Sequence, residues 1–413
     1  MKSESLWRDP EFMKLWVGQT ISEIGSRITR EGIPLTAVLL LHATPAQMGF
    51  LASLNGFAAL LFGPVAGVTA DRFRLRPVLI GTDLGRAAVL VSVPVLHYFG
   101  KLDMFALCVV MSLTAMLTTF FDVAYQSLLP SLVRRDQLLE GNAKLTMSLT
   151  TAEMIGPAAT GVLVQSLNAP RAIALDAVSF VVSAISVALI RKPEVVKDHA
   201  HVDAVDWHEI SAGFRTTWHN PLLRAMAFRS ATASFFFGFF ATLYVLYAVQ
   251  ELKFTPVVLG VVVTLGGAGA FLGATFAHRI ANRFSVGWTM IGATIVSGVL
   301  LLLVPLAPGP GWIAVACLGA GQLFGDVAYP VYGIHEATLR QSVTPANLLG
   351  RVTAFAQLLF KGLWPIGALV GGMLATLIGI RMTFVLCSIG VIGSSLWLVF
   401  SPVRRLTSHP SGS

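Results

Sequence analysis

The chain has 413 residues, 55% of them hydrophobic and 12% charged, with a mean hydropathy of +0.73 and a formal net charge of +8. Soluble domains carry about 25% charged residues, so this composition excludes an ordinary soluble enzyme and points to a polytopic membrane protein. The positive balance is not a nucleic-acid signature, because Lys and Arg sit in short segments between apolar runs, and the three cysteines, Cys108, Cys317 and Cys387, lie inside apolar runs without metal or redox spacing.

In chain order, the first ten residues are polar and lack the apolar core and cleavage site of a signal peptide, so none is expected. Crossing a bilayer takes roughly 20 apolar residues per helix. Twelve such runs follow, at 13–41, 46–70, 78–99, 103–129, 144–167, 172–190, 223–249, 256–280, 287–307, 311–339, 351–376 and 380–401. The pattern predicts an all-α polytopic membrane protein with twelve transmembrane helices; the longer runs imply tilt or extension past the membrane. The longest connection, 191–222, carries Trp207, Ile210, Ser211, Phe214 and Trp218 at helical spacing. It predicts an amphipathic helix on the cytoplasmic membrane surface, a plain spacer more readily than a regulatory element. The domain limits are then a six-helix bundle over 1–190, the linker over 191–222, a second bundle over 223–406 and a disordered polar tail over 407–413.

Sorting the basic residues by loop sets the topology. One side carries Arg72, Arg74 and Arg76, then Arg134 and Arg135, Arg191 and Lys192, Arg279 and Arg283, Arg340 and Arg351, and Arg404 and Arg405; the other carries only Lys101, Arg171, Lys253 and Arg381. The rich side is cytoplasmic. Both termini fall there, which agrees with an even number of spans.

The chain also repeats itself. Thr44-Pro45, Gly49, Gly56 and Ala70-Asp71-Arg72-Phe73 recur 211 residues later as Thr255-Pro256, Gly260, Gly267 and Ala281-Asn282-Arg283-Phe284. Asp122-Val123-Ala124-Tyr125 recurs 204 residues later as Asp326-Val327-Ala328-Tyr329. Two pseudo-symmetric six-helix bundles follow, the usual design of a secondary transporter with its substrate path between the halves.

Ionisable side chains inside spans are costly and mark function by default. Span one carries Glu23, Arg27, Arg30 and Glu31; the first three share a helical face with Glu31 at its edge, and Glu23–Arg27 and Arg27–Glu31 are i,i+4 pairs. Either these charges neutralise one another within the helix or they handle substrate and protons. Asp122 and Gln126 lie one turn apart on span four with Tyr125 beside them, and Glu153 shares a face of span five with Thr146, Thr150 and Pro157. Arg229 lies on span seven, Asp326, Tyr329 and Glu336 on span ten, and Gln357 and Lys361 on span eleven. Asp122 and Asp326 are repeat-related, so helix packing competes with function for both; the functional reading of Asp122 is preferred.

Other patterns carry less. Gly267-x-Gly269-x-x-x-Gly273 imitates a dinucleotide loop but lies within an apolar helix, so it reads as a packing stripe. His199 and His201, with Asp198 and Asp203, read as a solvated cluster rather than a metal site. Asp83–Arg86 reads as a structural i,i+3 pair near the cytoplasmic end of span three, and Asp176 as a helix-packing residue near the external face. There is no Walker loop, nucleophile elbow or catalytic triad, so no enzyme, cofactor or metal is expected.

Twelve spans in two halves, with Gly67-x-x-x-Asp71-Arg72-Phe73-Arg74-Leu75-Arg76 between spans two and three, resemble the major facilitator superfamily and its signature loop. Arg74 stands where the family usually has Gly, and Pro77 where another base is common. Gln19-x-x-Ser22-x-x-Gly25, Asp83-Leu84-Gly85-Arg86, Asp176-Ala177-x-Ser179-Phe180 and Thr344-Pro345-x-x-Leu348-Leu349-Gly350-Arg351-Val352 resemble the branch of macrolide-efflux proteins and the enterobactin exporter. Gly156-Pro157-x-x-x-Gly161 partly matches the family's exporter motif, while its span-four arginine is absent.

The resemblance implies a central cavity lined by spans one, four, seven and ten, with contributions from five, eight and eleven. It also implies that Asp71 pins the cytoplasmic ends of the halves together, against Arg351 and the positive N-terminal end of span eleven. Gly67, Arg72 and Arg76 complete that lock; Asn282 in the repeat copy rules out a symmetric one. The expected function is export of a small amphipathic molecule, a drug, macrolide or siderophore, by proton antiport from the inner membrane, the protein acting as a monomer in the lipid bilayer. The competing readings are a lysophospholipid or metabolite carrier, an importer, and a non-transporting sensor.

Overall fold

The computed structural model describes residues 5–192 and 207–408. The His199/His201 cluster, the first part of the linker, the side chains of Trp207 and Ile210 and the end of the tail lie outside the described residues. The first half folds as α1 (Pro10–Leu39), α2 (Pro45–Arg72), α3 (Leu75–Tyr98), α4 (Met104–Leu132), α5 (Leu138–Leu167) and α6 (Ala169–Ala188). After α7 (Trp207–His219) come α8 (Pro221–Gln250), α9 (Pro256–Phe284), α10 (Val286–Leu301) with its short continuation α11 (Leu303–Leu306), and α12 (Trp312–Val343). The last are α13 (Leu349–Ile378) and α14 (Ile380–Ser394), continued by α15 (Leu396–Val399). Ten of these segments are long and apolar enough to cross a membrane, counting α10 with α11 and α14 with α15. The protein is therefore an all-α polytopic membrane protein. α1 and α5 are as long, at 30 residues each, but carry charges along their length.

The repeat extends well beyond its two visible echoes. Helices α1, α2, α3, α5 and α6 begin at Pro10, Pro45, Leu75, Leu138 and Ala169. Helices α8, α9, α10, α13 and α14 begin at Pro221, Pro256, Val286, Leu349 and Ile380, every one at the same offset that separates the Thr-Pro pairs. Capping chemistry explains the Thr-Pro echo. The Thr44 hydroxyl accepts from Gln47 N at 3.3 Å, while Gln47 Oε1 accepts from Thr44 N at 2.9 Å. The Thr255 hydroxyl likewise accepts from Val258 N at 3.3 Å. In both copies proline fills the first helical position, where its missing N–H costs nothing.

Contacts divide the described residues into two compact units. The first holds 5–43, 57–192 and 255–260; the second holds 44–56, 207–254 and 261–408. Each unit packs its helices in the same pairs. In the first, α1 lies against α5 and α6, and α3 against α4 and α6. In the second, α8 lies against α13 and α14, and α10 against α12 and α14. The two short segments that leave their sequence half are seated on glycines. In the second unit a Cβ on Gly49 would stand 2.7 Å from the Ala368 carbonyl oxygen, and one on Gly56 2.8 Å from the Pro365 ring. In the first unit Gly161 receives the Pro256 carbonyl and Gly260 receives the Pro157 carbonyl, both closer than any side chain would allow. Small residues that let backbones touch are the usual glue of membrane helices.

Helix α7 packs against α13 and α8. Gly213 meets the Arg351 carbonyl, Phe214 stands edge-on to Phe355 at 5.6 Å, and Trp218 edge-on to Phe228 at 6.0 Å. The face expected to lie on the membrane is thus partly taken up by protein.

Candidate functional site

The charges of α1 do not pair within the helix as the i,i+4 spacing predicts. Arg27 instead donates to Glu153 Oε1 on α5 at 2.8 Å, and among the described residues neither Glu23 nor Glu31 is within ion-pair distance of it. Gly156 supplies the reason. A Cβ there would stand 2.6 Å from Arg27 Cβ, so the missing side chain is the notch in which the arginine stem lies. The first glycine of the Gly156-Pro157-x-x-x-Gly161 motif therefore seats Arg27, and Pro157 and Gly161 receive the start of α9. The Glu153 side chain is half exposed and Arg27 largely covered. Glu23 and Glu31 are partly buried and Arg30 is exposed. On α4, Tyr125 stacks on Phe121 at 5.9 Å, within electrostatic reach of Glu23 and Asp122. Asp122 and Gln126 are exposed.

Three of the motifs that carried the family resemblance converge in the first unit. Asp83 on α3 and Asp176 on α6 are both 0% exposed, and Arg86 is 3% exposed. Arg86 is hydrogen-bonded to Asp83 Oδ1 and clamped between the rings of Phe121 and Phe180, 4.2 and 4.0 Å away. Ser179 donates to Asp176 Oδ1 at 2.8 Å, and Gln19 on α1 to Ser183 Oγ at 3.2 Å. The i,i+3 pairing of Asp83 with Arg86 is as expected. At about 1.5 Å per residue, Asp83 is roughly 12 Å into α3 and Asp176 about 10 Å into α6, each about a third of the way along its helix, and the two carboxyls are within electrostatic reach of one another. Gly25 makes this possible: a Cβ on α1 would stand 2.5 Å from Asp176 Oδ1.

In the second unit Arg229 donates from Nε to Thr294 Oγ1 at 3.0 Å and lies 3.5 Å over the Tyr332 ring. Glu336 pairs with Arg340 at 3.2 Å, one turn along α12, and feels Arg229. The Asp326 carboxylate points onto Gly266 of α9 beside Gln322. Tyr329, Gln357 and Lys361 are exposed. Tyr332 and Thr294 were not legible as partners of Arg229, since neither lies on a motif. Of the lock residues, Asp71 and Arg72 are exposed at the end of α2. Gly67 has open space around it. Arg76 donates to the carbonyls of Ile190 and Lys192, tying α3 to the end of α6, and Arg351 is partly buried in the first turn of α13.

Long apolar helices in two similarly packed units, with ion pairs held inside them, define a polytopic membrane carrier. The chain belongs to the Major Facilitator Superfamily, whose profile matches residues 15–366. It is 24% identical to macrolide efflux protein A of Streptococcus pyogenes over 380 residues, 91% of this chain and 92% of that one. It is 26% identical to the multidrug efflux pump Tap of Mycolicibacterium fortuitum over 415 residues, 98% and 99% of the two chains. In fold it is similar to a bacterial homologue of the iron transporter ferroportin in an inward-facing state, with TM-score 0.75 and 15% identity over 96% of this chain and 99% of that one. A bacterial homolog of the human lysosomal transporter Spinster, inward-facing and occupied, gives TM-score 0.72 and 12% identity over 98% of each chain. The protein is thus a secondary-active transporter with kinship to efflux pumps, moving a small molecule across a membrane by alternating access rather than catalysis.

Proposed function

We propose that the protein is a proton-coupled exporter of a small amphipathic solute, with twelve transmembrane helices in two six-helix bundles and both termini in the cytoplasm. For the cargo, a metabolite or lysophospholipid is the better supported class, ahead of a drug, macrolide or siderophore. The efflux relatives are only about a quarter identical, and the similar folds belong to proteins described as iron, nucleoside and Spinster-type transporters. The observation that carries the transport reading is the Arg27–Glu153 pair, which joins α1 to α5 with its carboxylate half exposed. A half-exposed ion pair at mid-helix needs a wet, polar surrounding, and a carrier's solute path supplies it. Asp122, Tyr125 and Glu23 add polar groups to the first unit, and the second unit carries its own set of mixed sign, Arg229, Asp326 and Glu336. Asp71, with Gly67, Arg72, Arg76 and Arg351, serves as the cytoplasmic lock.

Purified protein in liposomes with an imposed pH gradient tests this. The panel is a labelled lysophospholipid, a nucleoside, ethidium, a macrolide and a catecholate siderophore, with wild type, Glu153→Gln and Asp122→Asn. Gradient-driven movement of one class, reduced at least tenfold in either variant, is expected. Movement indifferent to the gradient and to both substitutions sinks proton coupling. Saturable binding of a probe that is never moved makes the protein a sensor.

A further inference from the structure

The Asp83–Arg86–Asp176 cluster lies in α1, α3 and α6 packing, behind the surface that carries Glu153 and Asp122, and the transport reading does not use it. Its charges do not balance. Two carboxylates and one guanidinium leave one negative charge among groups that are 0–3% exposed. No hydrogen bond of good geometry reaches Asp83 Oδ2, Asp176 Oδ2 or Arg86 Nε, and the only further polar contacts of the two carboxyls are neutral hydroxyls, Ser183 beside Asp83 and Thr29 beside Asp176. A lone buried charge is expensive enough that the group takes up a proton instead, and two carboxylates that share one cation share that proton as a pair.

The fold does not demand these charges. The repeat-related positions of Asp83 and Asp176 are Thr294 and Cys387, both buried and neutral, and the same three-helix packing of α8, α10 and α14 forms around them. The other copy keeps a cation in this layer, Arg229 bonded to Thr294, but no carboxylate at either matching position, so two buried carboxylates on one guanidinium mark a function rather than a packing need.

We propose that Asp83, Arg86 and Asp176 form a proton-binding site that holds one proton, on Asp176, at neutral pH. Asp83 bonds to Arg86 and stays ionised. Asp176, without a cation of its own, is the carboxyl that binds H⁺ and becomes the neutral acid. Its Oδ2, which no cation reaches, is where the proton sits, beside the Thr29 hydroxyl of α1. Among the described residues, the titratable groups within electrostatic reach of the cluster lead outward through Glu23. Glu23 of α1 is within electrostatic reach of Arg86, Arg27 and Glu153, and Tyr125 of α4 within reach of Glu23 and Asp122. α6 adds only Ser179, Ser183 and Phe180, and α5 adds Glu153, already paired to Arg27. The seal is the α1 backbone at Gly25. A shift of α1 that opens it lets the proton pass from Asp176 to Glu23 and on to water. The site deepens the proton-coupled reading, and rests on that reading only for what the proton does.

Infrared spectroscopy of the purified protein in lipid nanodiscs tests the site without any substrate. At neutral pH the wild type should show a protonated-carboxyl C=O band that shifts down in D2O. That band should lose one carboxyl's worth of intensity in Asp176→Asn. It should lose the same in Asp83→Asn, because Asp176 then becomes the ionised partner of Arg86. Both single variants keep the cluster neutral and should stay folded, while Asp83→Asn/Asp176→Asn strands Arg86 and should lower the yield of monodisperse protein severalfold. Asp326→Asn serves as the control for an unrelated lone carboxyl. A band unchanged in both single variants overturns the proposal, and so does a double variant as stable as the wild type. Neither result touches the transport assay, so the site can fail while the carrier reading stands.

Discussion

The α1/α3/α6 packing of the first unit and the α8/α10/α14 packing of the second are the same architectural problem solved twice. In the first, Gly25 on α1 faces Ser179 and Asp176 on α6. At the repeat-related positions the small and large partners are exchanged: Phe236 on α8 presses its ring onto Gly390 of α14. The polar layer changes with them. Asp83 and Asp176 of the first unit become Thr294 and Cys387, whose hydroxyl takes a hydrogen bond from Arg229 and whose thiol donates to the Phe236 carbonyl at 3.0 Å. Helix geometry is kept and charge is not. What the repeat conserves is backbone approach, and what it lets diverge is the chemistry held inside.

The sharpest way to break the comparison is to remove one partner of the buried polar contact in each unit. Arg86→Met removes the guanidinium bonded to a carboxylate that is 0% exposed. Breaking one partner of a buried pair costs about 3–5 kcal/mol, so this variant should lose most of its folded yield in size-exclusion profiles. In the second unit Thr294→Val leaves Arg229 lying over Tyr332 and forfeits one hydrogen bond, worth about 0.6 kcal/mol between membrane helices. Its thermal midpoint should barely move. Equal losses in the two variants would mean that the charged cluster is ordinary packing.

A second test exploits the exchanged glycines. Gly25→Ala drives a Cβ to 2.5 Å from Asp176 Oδ1 and into the Ser179 hydroxyl. Overpacking of this kind costs about 1–3 kcal/mol. Removing the obstacle with Ser179→Gly should restore part of the thermal stability, as it recreates the second unit's small-residue side. Gly390→Ala meets the Phe236 ring and should be rescued by Phe236→Leu. Rescue in one unit but not the other would show that only one of the interfaces is close-packed.

A third prediction concerns the notch at Gly156. Gly156→Ala places a Cβ 2.6 Å from Arg27 Cβ, which displaces the arginine stem and the pair with Glu153. Because Glu153 is half exposed, the stability loss from the pair itself should be under about 1 kcal/mol. Transport should suffer far more than stability, and liposome uptake measured beside the thermal midpoint would separate the two.

Much of this was legible before any coordinates. The spans, the Thr-Pro helix starts and the long-period repeat follow from apolar run length and capping chemistry, and both are local. The first predicted span, 13–41, appears as Pro10–Leu39, while the ninth and twelfth are interrupted at Leu302 and Ser395. The partners of the charges were not legible. Periodicity tells which face of α1 is polar but not which helix that face meets. Self-neutralisation of Arg27 by Glu23 and Glu31 therefore stood level with a functional role, and neither reading named its partner Glu153, four helices further along the chain and beside the notch at Gly156. Nor does position along a span reveal that Asp83 and Asp176, on different helices, come within electrostatic reach of Arg86 and of each other.

The smallest expected effect sits at the start of each unit. Asp9 caps α1 and its repeat counterpart Asn220 caps α8, each accepting from two backbone N–H groups. Among the described residues, only the first start is also tied by carboxylates. Glu140 accepts from Leu6 N and Ser5 Oγ at 3.2 Å and pairs with Lys144 at 3.1 Å, while Glu11 accepts from Arg191 N at 2.6 Å and pairs with Lys14 at 2.7 Å. Hydrogen bonds to Lys144 and to Lys14 hold these two carboxyls below their ordinary value of 4.5. A carboxyl held low in the folded state stabilises it fully above 4.5, and that contribution fades as the pH falls through the lower folded value. The repeat counterparts of Glu11 and Glu140 are Leu222 and Arg351, neither of them a carboxylate. Acidification below pH 4.5 should therefore loosen the start of α1 and leave the start of α8 in place. Trp7 reports it, since its ring lies edge-on to Trp16 at 4.9 Å with the Lys144 ammonium 3.7 Å above. The tryptophan emission of wild type should shift on acidification, and Glu140→Gln should show that shift already at neutral pH. An emission spectrum identical in the two proteins across the range would mean that the apolar packing of Leu6 and Phe12, both fully buried, holds this corner without the carboxylates.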